Sequence, residues 1–282
     1  MWQIFLGISL LFSSLVVIFQ KKIHNLSESN PIRFVVAFQI LSGIFVLIFG
    51  YFSNQLQFQN ISHVWVNILF TTLLYGFGNV LYFSGLKQTE ASIYTVICGS
   101  SSIWAIVGSS IFFHQFLNIK QLLGILLILF SILLVNRVKS GIHLTKGVLM
   151  TLLGAVAIGL AMVNDKYVLG YLNMYSYLSI ALISPAIFTA VIFWKQMSGI
   201  HFYFQKNIVV RFVFVCLLFA IQVVAFFNAL FLSTNASQFA GMSMFGSVLT
   251  MIMSMIFLNE RDRKIIKFMA LGLGILGLTL IK

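Results

Sequence analysis

The sequence predicts an all-α integral membrane protein with ten transmembrane helices arranged as two inverted five-helix repeats. Of its 282 residues, 60% are hydrophobic and only 8% are charged, whereas soluble domains carry about 25% charged residues. A surface this poor in charge favours lipid as the main solvent. Membrane-spanning helices need about 20 mainly apolar residues, and such runs follow one another along almost the whole chain.

Short polar segments divide the chain into ten apolar stretches. The predicted spans cover residues 2–20, 31–52, 64–86, 91–113, 119–136, 147–164, 172–194, 208–231, 236–258 and 265–281. The fifth span contains LLGILLILFSILLV, which is apolar on every side. This favours a helix, because the strands of a membrane barrel alternate in polarity. The segments between the spans leave no room for a soluble domain.

Sequence similarity between positions 145 residues apart indicates an internal repeat. The TEAS at the start of the fourth span recurs as TNAS at the start of the ninth, and Lys21 recurs as Lys166. We therefore predict a first five-helix repeat over residues 1–145 and a second over 146–282. Because five is an odd number, the second repeat enters the membrane from the opposite face, as in the inverted repeats of alternating-access transporters.

The basic residues predict the orientation and the partners. When sides are assigned alternately along ten spans, most of the 17 Lys and Arg residues fall on one side. The positive-inside rule makes that side cytoplasmic and places both termini outside. The net charge of +12 reflects the scarcity of acids, so we expect no nucleic-acid partner. The expected partners are the lipid bilayer and a small-molecule substrate, and we expect a monomer or weak homo-oligomer.

The sequence lacks the residue patterns of an enzyme. Its 5 histidines fall in separate segments, and none has another His or Cys at the spacing that a local metal site uses. Cys98 and Cys216 lie far apart in apolar runs, where packing residues are typical. No phosphate-binding glycine motif is present. We therefore predict that the protein is not an enzyme and uses no cofactor or metal.

The acidic residues are expected at helix ends or in loops. They are Glu28, Glu90, Asp165, Glu260 and Asp262. Because a carboxylate inside a membrane is costly and marks a functional site, this distribution predicts that any coupling uses something other than a buried acid. Asp165, with the preceding asparagine, is interpreted either as a polar gate or as a solvated helix end.

Two segments resemble the EamA-type carriers of the drug/metabolite transporter superfamily. Residues 85–135 and 229–281 each contain the end of a third helix, a Thr-x-Ala-Ser start to the fourth and a final helix with glycine. A Leu-x-Glu-Arg turn occurs at 258–261, whereas the first half has Phe-His-Gln-Phe at 113–116. The resemblance implies a central cavity lined by the first four helices of each half, with the fifth and tenth helices outside it.

Polar and aromatic side chains near the middle of the spans are the candidate substrate-binding residues, because polar groups in lipid are costly unless they face a cavity or a partner helix. They are Tyr75, Asn79, Tyr82, Tyr94, Ser101, Trp104, Gln222, Asn228, Gln238, Ser243 and Phe245. Their amides offer several donors and acceptors, and aromatic rings bind cations. Interhelical hydrogen bonds and lipid-facing packing are the alternatives for these residues.

These features predict a secondary transporter in the cell membrane. Its substrate is a small polar or amphipathic metabolite, either amino-acid-like, nucleobase-like or a quaternary amine, moved by alternating access. A flippase for a lipid-linked headgroup is the alternative function. A lateral opening lined by polar residues would favour the flippase, whereas a cavity reached only from water would favour the metabolite carrier. Substrate identity, transport direction and coupling ion are left open.

Overall fold

The computed structural model describes residues 2–58, 61–89, 91–136, 145–257 and 264–281, and all regular structure in them is helical. The first half contains α1 (Trp2–His24), α2 (Pro31–Phe52), α3 (Trp65–Gln88), α4 (Ala91–Gly99), α5 (Ser101–Phe113) and α6 (Ile119–Asn136). The second half contains α7 (Lys146–Val168), α8 (Met174–Ile192), α9 (Lys206–Leu232), α10 (Ala236–Ser243), α11 (Phe245–Phe257) and α12 (Lys264–Ile281). Short 3₁₀ segments occupy Ile61–His63 and Trp194–Phe204.

Seven helical segments in the described residues are long and apolar enough to cross a membrane. They are α1, α2, α3, α7, α8, α9 and the segment Ala236–Ser254. Three further apolar segments are shorter, namely Ile97–Phe113, Ile119–Ser131 and Gly272–Ile281. The protein is therefore an all-helical, multi-pass membrane protein. The turn at 258–261, together with Glu90 and Asp262, lies outside the described residues.

The fourth and ninth predicted spans are interrupted, which the sequence analysis did not expect. α4 ends and α5 begins around Ser100, whose Oγ donates to the carbonyl of Ile97 at 2.6 Å. At the equivalent place between α10 and α11, the Oγ of Ser243 donates to the carbonyl of Ala240 at 2.7 Å. A serine hydroxyl that bonds the preceding turn competes with the helical hydrogen bonds. Both interruptions therefore occur where a serine can replace a backbone donor.

Side-chain caps begin several helices. Asn30 Oδ1 accepts from two backbone N–H groups at the start of α2, where Pro31 occupies the first helical position. Thr145, Asn173 and Asn235 accept in the same way at the starts of α7, α8 and α10. Such caps satisfy donors that have no partner within the helix. The chain therefore has local signals for where these helices begin.

Most of the closest helix packing joins one half to the other. α1 packs on α9 and α3 packs on α7, while α2 packs on α8 and α6 on α12. α1 also contacts α11, and α5 contacts α7. Glycine permits the closest approaches: a Cβ added at Gly85 of α3 would overlap the hydroxyl of Thr151 on α7. Small residues are typical of such contacts between membrane helices.

Two lysines bind the ends of helices in the same manner in the two halves. At the end of α1, Lys21 Nζ donates to the carbonyls of Leu86 at 2.7 Å and Thr89 at 2.6 Å, at the C-terminal end of α3. At the end of α7, Lys166 Nζ donates to three carbonyls at the C-terminal end of α9, at distances from 2.7 to 3.2 Å. Cations are favourable there, because the last carbonyls of a helix lack partners and carry partial negative charge.

Candidate substrate cavity

A cavity of about 320 Å³ lies between the two halves. Among the described residues, every helix except α6 and α12 contributes to its lining, which agrees with the arrangement that the resemblance implies. On α1 the lining extends from Leu10 to Gln20, and on α3 from Tyr75 to Phe83. On α9, whose C-terminal end lies at the opposite membrane face, the lining extends from Phe219 to Phe227. The cavity therefore lies near the middle of the helices, between the two halves.

Most of the candidate residues predicted from the sequence meet in this cavity. Its lining includes Tyr75, Asn79, Tyr82, Tyr94, Ser101, Gln222 and Ser243. Several of their polar groups bond across helices: Gln222 Nε2 donates to Ser9 Oγ at 3.2 Å, and Ser243 Oγ lies 3.1 Å from Ser102 Oγ. Asn79 differs, because its amide has no hydrogen-bond partner among the described residues. Asn79 is therefore available to a ligand.

The other four predicted residues lie outside the cavity lining. Trp104 is 40% exposed on the outside of the molecule, where lipid surrounds a membrane protein. Asn228 Nδ2 donates to a carbonyl of its own helix at 3.0 Å, and Gln238 Nε2 donates to a carbonyl at the end of α12 at 2.8 Å. The ring of Phe245 lies against a glycine of α12. Depth along a span does not determine the direction in which each of these side chains points.

Two glutamines in the lining were missed. Gln20 is 4% exposed and Gln39 is 2% exposed, and both border the cavity. Gln39 Oε1 has no hydrogen-bond partner within the part of the chain that the structure describes. Both residues are amides within predicted spans, so the criterion that selected Asn79 and Gln222 would also have selected them. A buried acceptor without a partner costs roughly 1–3 kcal/mol, so this oxygen is suited to receive an N–H or O–H from a ligand.

Aromatic rings form much of the remaining wall. Tyr82 and Tyr94 contact edge to face with centroids 5.8 Å apart, and Phe38 contacts Phe219 at 4.7 Å. All four residues line the cavity. Tyr and Phe rings provide apolar surface and a π-face. The cavity thus combines an aromatic wall with amide and hydroxyl groups, which suits an amphipathic molecule.

The structure contradicts the sequence-based expectation for the acids at Asp165. Its side chain is fully buried in α7, with 0% exposure. One carboxylate oxygen accepts from the hydroxyl of Tyr75, and the other accepts from the hydroxyl of Tyr177 at 2.5 Å. The adjacent Lys166 bonds the end of α9 instead. Asp165 is therefore a buried acid beside the cavity and not a solvated helix end.

A hydrogen-bonded network extends from Asp165 away from the cavity. The hydroxyl of Tyr177 lies 2.8 Å from Thr71 Oγ1, which accepts from Asn164 Nδ2 at 2.8 Å. Asn67 Nδ2 in turn donates to Asn164 Oδ1 at 2.6 Å. Asn67 lies at the start of α3 and Asn164 near the end of α7, and both are half-buried. The network therefore extends from the buried carboxylate toward the membrane face at which α3 begins and α7 ends.

Membrane-crossing helices that enclose a polar cavity between two halves are characteristic of membrane transport proteins. The EamA-like transporter family model matches residues 1–137. This match confirms the resemblance to the EamA-type carriers over the first half of the chain. The chain matches no curated protein sequence.

A solved crystal structure shares the fold. Its description reads only "Crystal structure of protein", and it superposes with a TM-score of 0.70 at 14% sequence identity. The match covers 98% of this chain and 98% of the other. At this identity the likeness establishes the fold alone.

Proposed function

We propose that the protein is a secondary transporter that moves a small amphipathic metabolite across the cell membrane by alternating access. In this proposal the chain crosses the membrane ten times in two inverted five-helix repeats. α4 with α5 and α10 with α11 each make one interrupted crossing. The protein acts as a monomer or weak homo-oligomer in the bilayer, without cofactor or catalytic activity.

The exchange symmetry of the packing supports the inverted repeat. If the two halves are exchanged, the contact of α1 with α9 becomes that of α7 with α3, and both contacts are present. The contact of α1 with α11 likewise becomes that of α7 with α5. Lys21 and Lys166 bind equivalent helix ends. Halves related in this way can exchange conformations, which would move the opening of a central site from one face to the other.

The central position of the cavity supports alternating access. Its lining extends from Tyr75 to Phe83 on α3 and from Phe219 to Phe227 on α9, so the two halves contribute equivalent segments. On one side of it, Tyr177, Thr71 and Asn164 join α8, α3 and α7 by hydrogen bonds of 2.8 Å. A site between two repeats is the position that alternating access requires.

The unpartnered Gln39 Oε1 in the cavity is the observation on which the substrate class rests. An amide oxygen only accepts hydrogen bonds, so the ligand must supply a donor. Amino-acid-like and nucleobase-like compounds have N–H donors, whereas a quaternary amine has none and would depend on cation–π attraction alone. The cavity volume of about 320 Å³ falls at the lower end of small-molecule sites, about 300–1,000 Å³. We therefore favour amino-acid-like or nucleobase-like substrates.

Flux into proteoliposomes tests this function. Radiolabelled L-tryptophan, uracil and glycine betaine, each present on both sides of the membrane to permit exchange, represent the three substrate classes. We expect exchange of one of the first two, and we expect N79A to reduce it at least tenfold. N228A is the matched control, because Asn228 bonds its own helix outside the cavity, and it should exchange at the wild-type rate. Equal flux by N79A and N228A would refute the assigned site.

Absence of exchange of all three probes by folded protein would contradict metabolite transport. Translocation of a fluorescent lipid by the same vesicles would instead support the flippase alternative. Ligand-induced thermal shifts in detergent provide a second measurement, because a ligand that binds only the native state raises the melting temperature.

A further inference from the structure

The environment of Asp165 differs from that of a structural ion pair. Its carboxylate is fully buried, and its side-chain partners among the described residues are the hydroxyls of Tyr75 and Tyr177. The titratable groups that face it are these tyrosines, from α3 and α8. On its own helix, the ammonium of Lys166 bonds carbonyls of α9. An ionised carboxylate in such a site is costly, and ionisable groups at membrane depth are functional candidates for that reason.

We propose that Asp165 is a proton-binding site that couples transport to a proton gradient, and that Tyr75 transmits its protonation state to the cavity. This inference rests on the proposed transport function. The site is assigned to a proton rather than a metal cation because the described residues contain no group of three or more His, Cys, Asp or Glu side chains that could hold a metal ion.

The hydrogen-bond directions show how protonation would reach the cavity. Asn164 donates to Thr71, and an ionised Asp165 requires Tyr177 to donate to it. The hydrogen between Thr71 and Tyr177 must then come from Thr71. The hydroxyl hydrogens of Thr71 and Tyr177 therefore both point toward the carboxylate. Since a hydroxyl has a single hydrogen, Tyr177 has no other hydrogen to offer.

Tyr75 is not constrained in this way. It lines the cavity, and Asp165 is its hydrogen-bond partner in the structure. While Asp165 is ionised, the hydrogen of Tyr75 points to the carboxylate, and the cavity meets only its oxygen lone pairs. When Asp165 binds a proton, the carboxylic O–H can donate to Tyr75, whose own hydrogen turns into the cavity. One bound proton thus adds one hydrogen-bond donor to the substrate site.

The proton balance of this cycle is simple. A proton from one aqueous side adds to the carboxylate and forms the neutral acid, and the same proton leaves to the other side; no other bond forms or breaks. The polar network of Thr71, Asn164 and Asn67 leads toward the membrane face at which α3 begins. On its other side, Tyr75 joins the carboxylate to the central cavity. The carboxylate therefore lies between the cavity and that membrane face.

The equivalent residue of the first repeat indicates that only the second repeat has a proton-binding side chain at this position. Residue 20, which lies 145 positions before Asp165, is Gln20, and its side chain is 4% exposed and borders the cavity. An amide does not titrate near neutral pH. The two repeats thus have an amide and an acid in equivalent places, and only the acid can bind and release a proton.

Infrared difference spectroscopy tests proton binding without any substrate. The chain has only 5 acidic residues, so the C=O stretch of a protonated carboxyl group can be assigned by substitution. When pH is varied between about 5 and 8, wild-type protein should show such a band, D165N should lose it, and E28Q should keep it. Glu28 is exposed in a loop and provides the matched control for loss of one acid. A band that persists in D165N, or no band in wild type, would overturn the proposal.

Proteoliposome flux of L-tryptophan or uracil tests the coupling. A gradient of one pH unit can drive accumulation up to about tenfold for one proton per substrate. We expect wild type and E28Q to respond to this gradient, and D165N to transport at the same rate with and without it. A response to a sodium gradient in place of the proton gradient, or a full pH response in D165N, would overturn the proposal. If wild type exchanges neither probe, the transport function fails, while the infrared result still decides proton binding.

The variant Y75F distinguishes coupling from proton binding. It also provides a second test of the proposal if D165N fails to fold. It preserves the ring of Tyr75 but removes the hydroxyl that connects Asp165 with the cavity. We expect Y75F to keep the protonated-carboxyl band and to lose the response of flux to the pH gradient. Retention of the full gradient response in Y75F would exclude Tyr75 as the coupling group.

Discussion

The lysine at the end of α7 offers a quantitative test of the packing. Lys166 Nζ donates to Leu230 at 2.7 Å, Phe231 at 3.2 Å and Ser233 at 2.7 Å. Hydrogen bonds to a charged group contribute about 1.5–3 kcal/mol, and a cation at a helix C-terminus contributes about 0.3–1 kcal/mol. Lys166 is only partly buried, which lowers the sum. We expect K166M to destabilise the protein by about 2 kcal/mol.

The assay is thermal unfolding of purified protein in detergent, followed by intrinsic fluorescence. A loss of this size lowers the melting temperature by about 4–8 °C in a large domain. K120M is the matched control, because Lys120 is exposed at the start of α6 and belongs to the side of the membrane predicted for Lys166. K21M should give a loss similar to K166M, since Lys21 binds the end of α3. Equal melting temperatures for K166M and K120M would refute the assignment of these helix-end bonds.

Two further predictions concern single side chains. G85A should lower the melting temperature, because the added Cβ would overlap Thr151 Oγ1 and overpacking costs about 1–3 kcal/mol. G272A is the control, because a Cβ there meets nothing within 4 Å, and it should leave the melting temperature unchanged or raise it. Q39L should raise the melting temperature, because it removes the unpartnered Oε1, and it should abolish the ligand-induced thermal shift. A lower melting temperature with a normal ligand-induced shift would show that Gln39 has a structural role instead.

The helices were predictable from the sequence to the extent that apolar length determines them. The runs that begin at Pro31 and Lys146 have caps at their starts, and the structure places α2 and α7 there. The interruptions near Ser100 and Ser243 were not predictable in the same way. They involve serine side chains within uninterrupted apolar runs, and a serine in a membrane helix more often leaves the helix intact. Hydropathy does not distinguish the two outcomes.

The sequence predicted which polar residues lie within the spans, but not the direction in which their side chains point. Asn79 and Asn228 are both asparagines in the interior of a helix, yet Asn79 lines the cavity and Asn228 bonds its own helix. The difference arises from how α3 and α9 are rotated against their neighbours, which depends on contacts between residues distant in sequence. The structure excludes one of the two interpretations of Asp165, the solvated helix end, for the same reason. Its position near a helix end indicated exposure, but α3 and α8 pack over it and supply Tyr75 and Tyr177.

The crossing of α6 and α12 has a consequence for motion. These helices lie outside the cavity lining, and a Cβ at Gly124 would lie 2.6 Å from the carbonyl oxygen of Gly277. Backbones this close leave no room between Gly124 and Gly277 for a side chain that could change rotamer to absorb sliding. The crossing is therefore expected to act as a fulcrum, where displacement is smallest while the halves rock. Displacement then grows with distance from this point, so a small rotation at the glycines becomes a large opening at the substrate site.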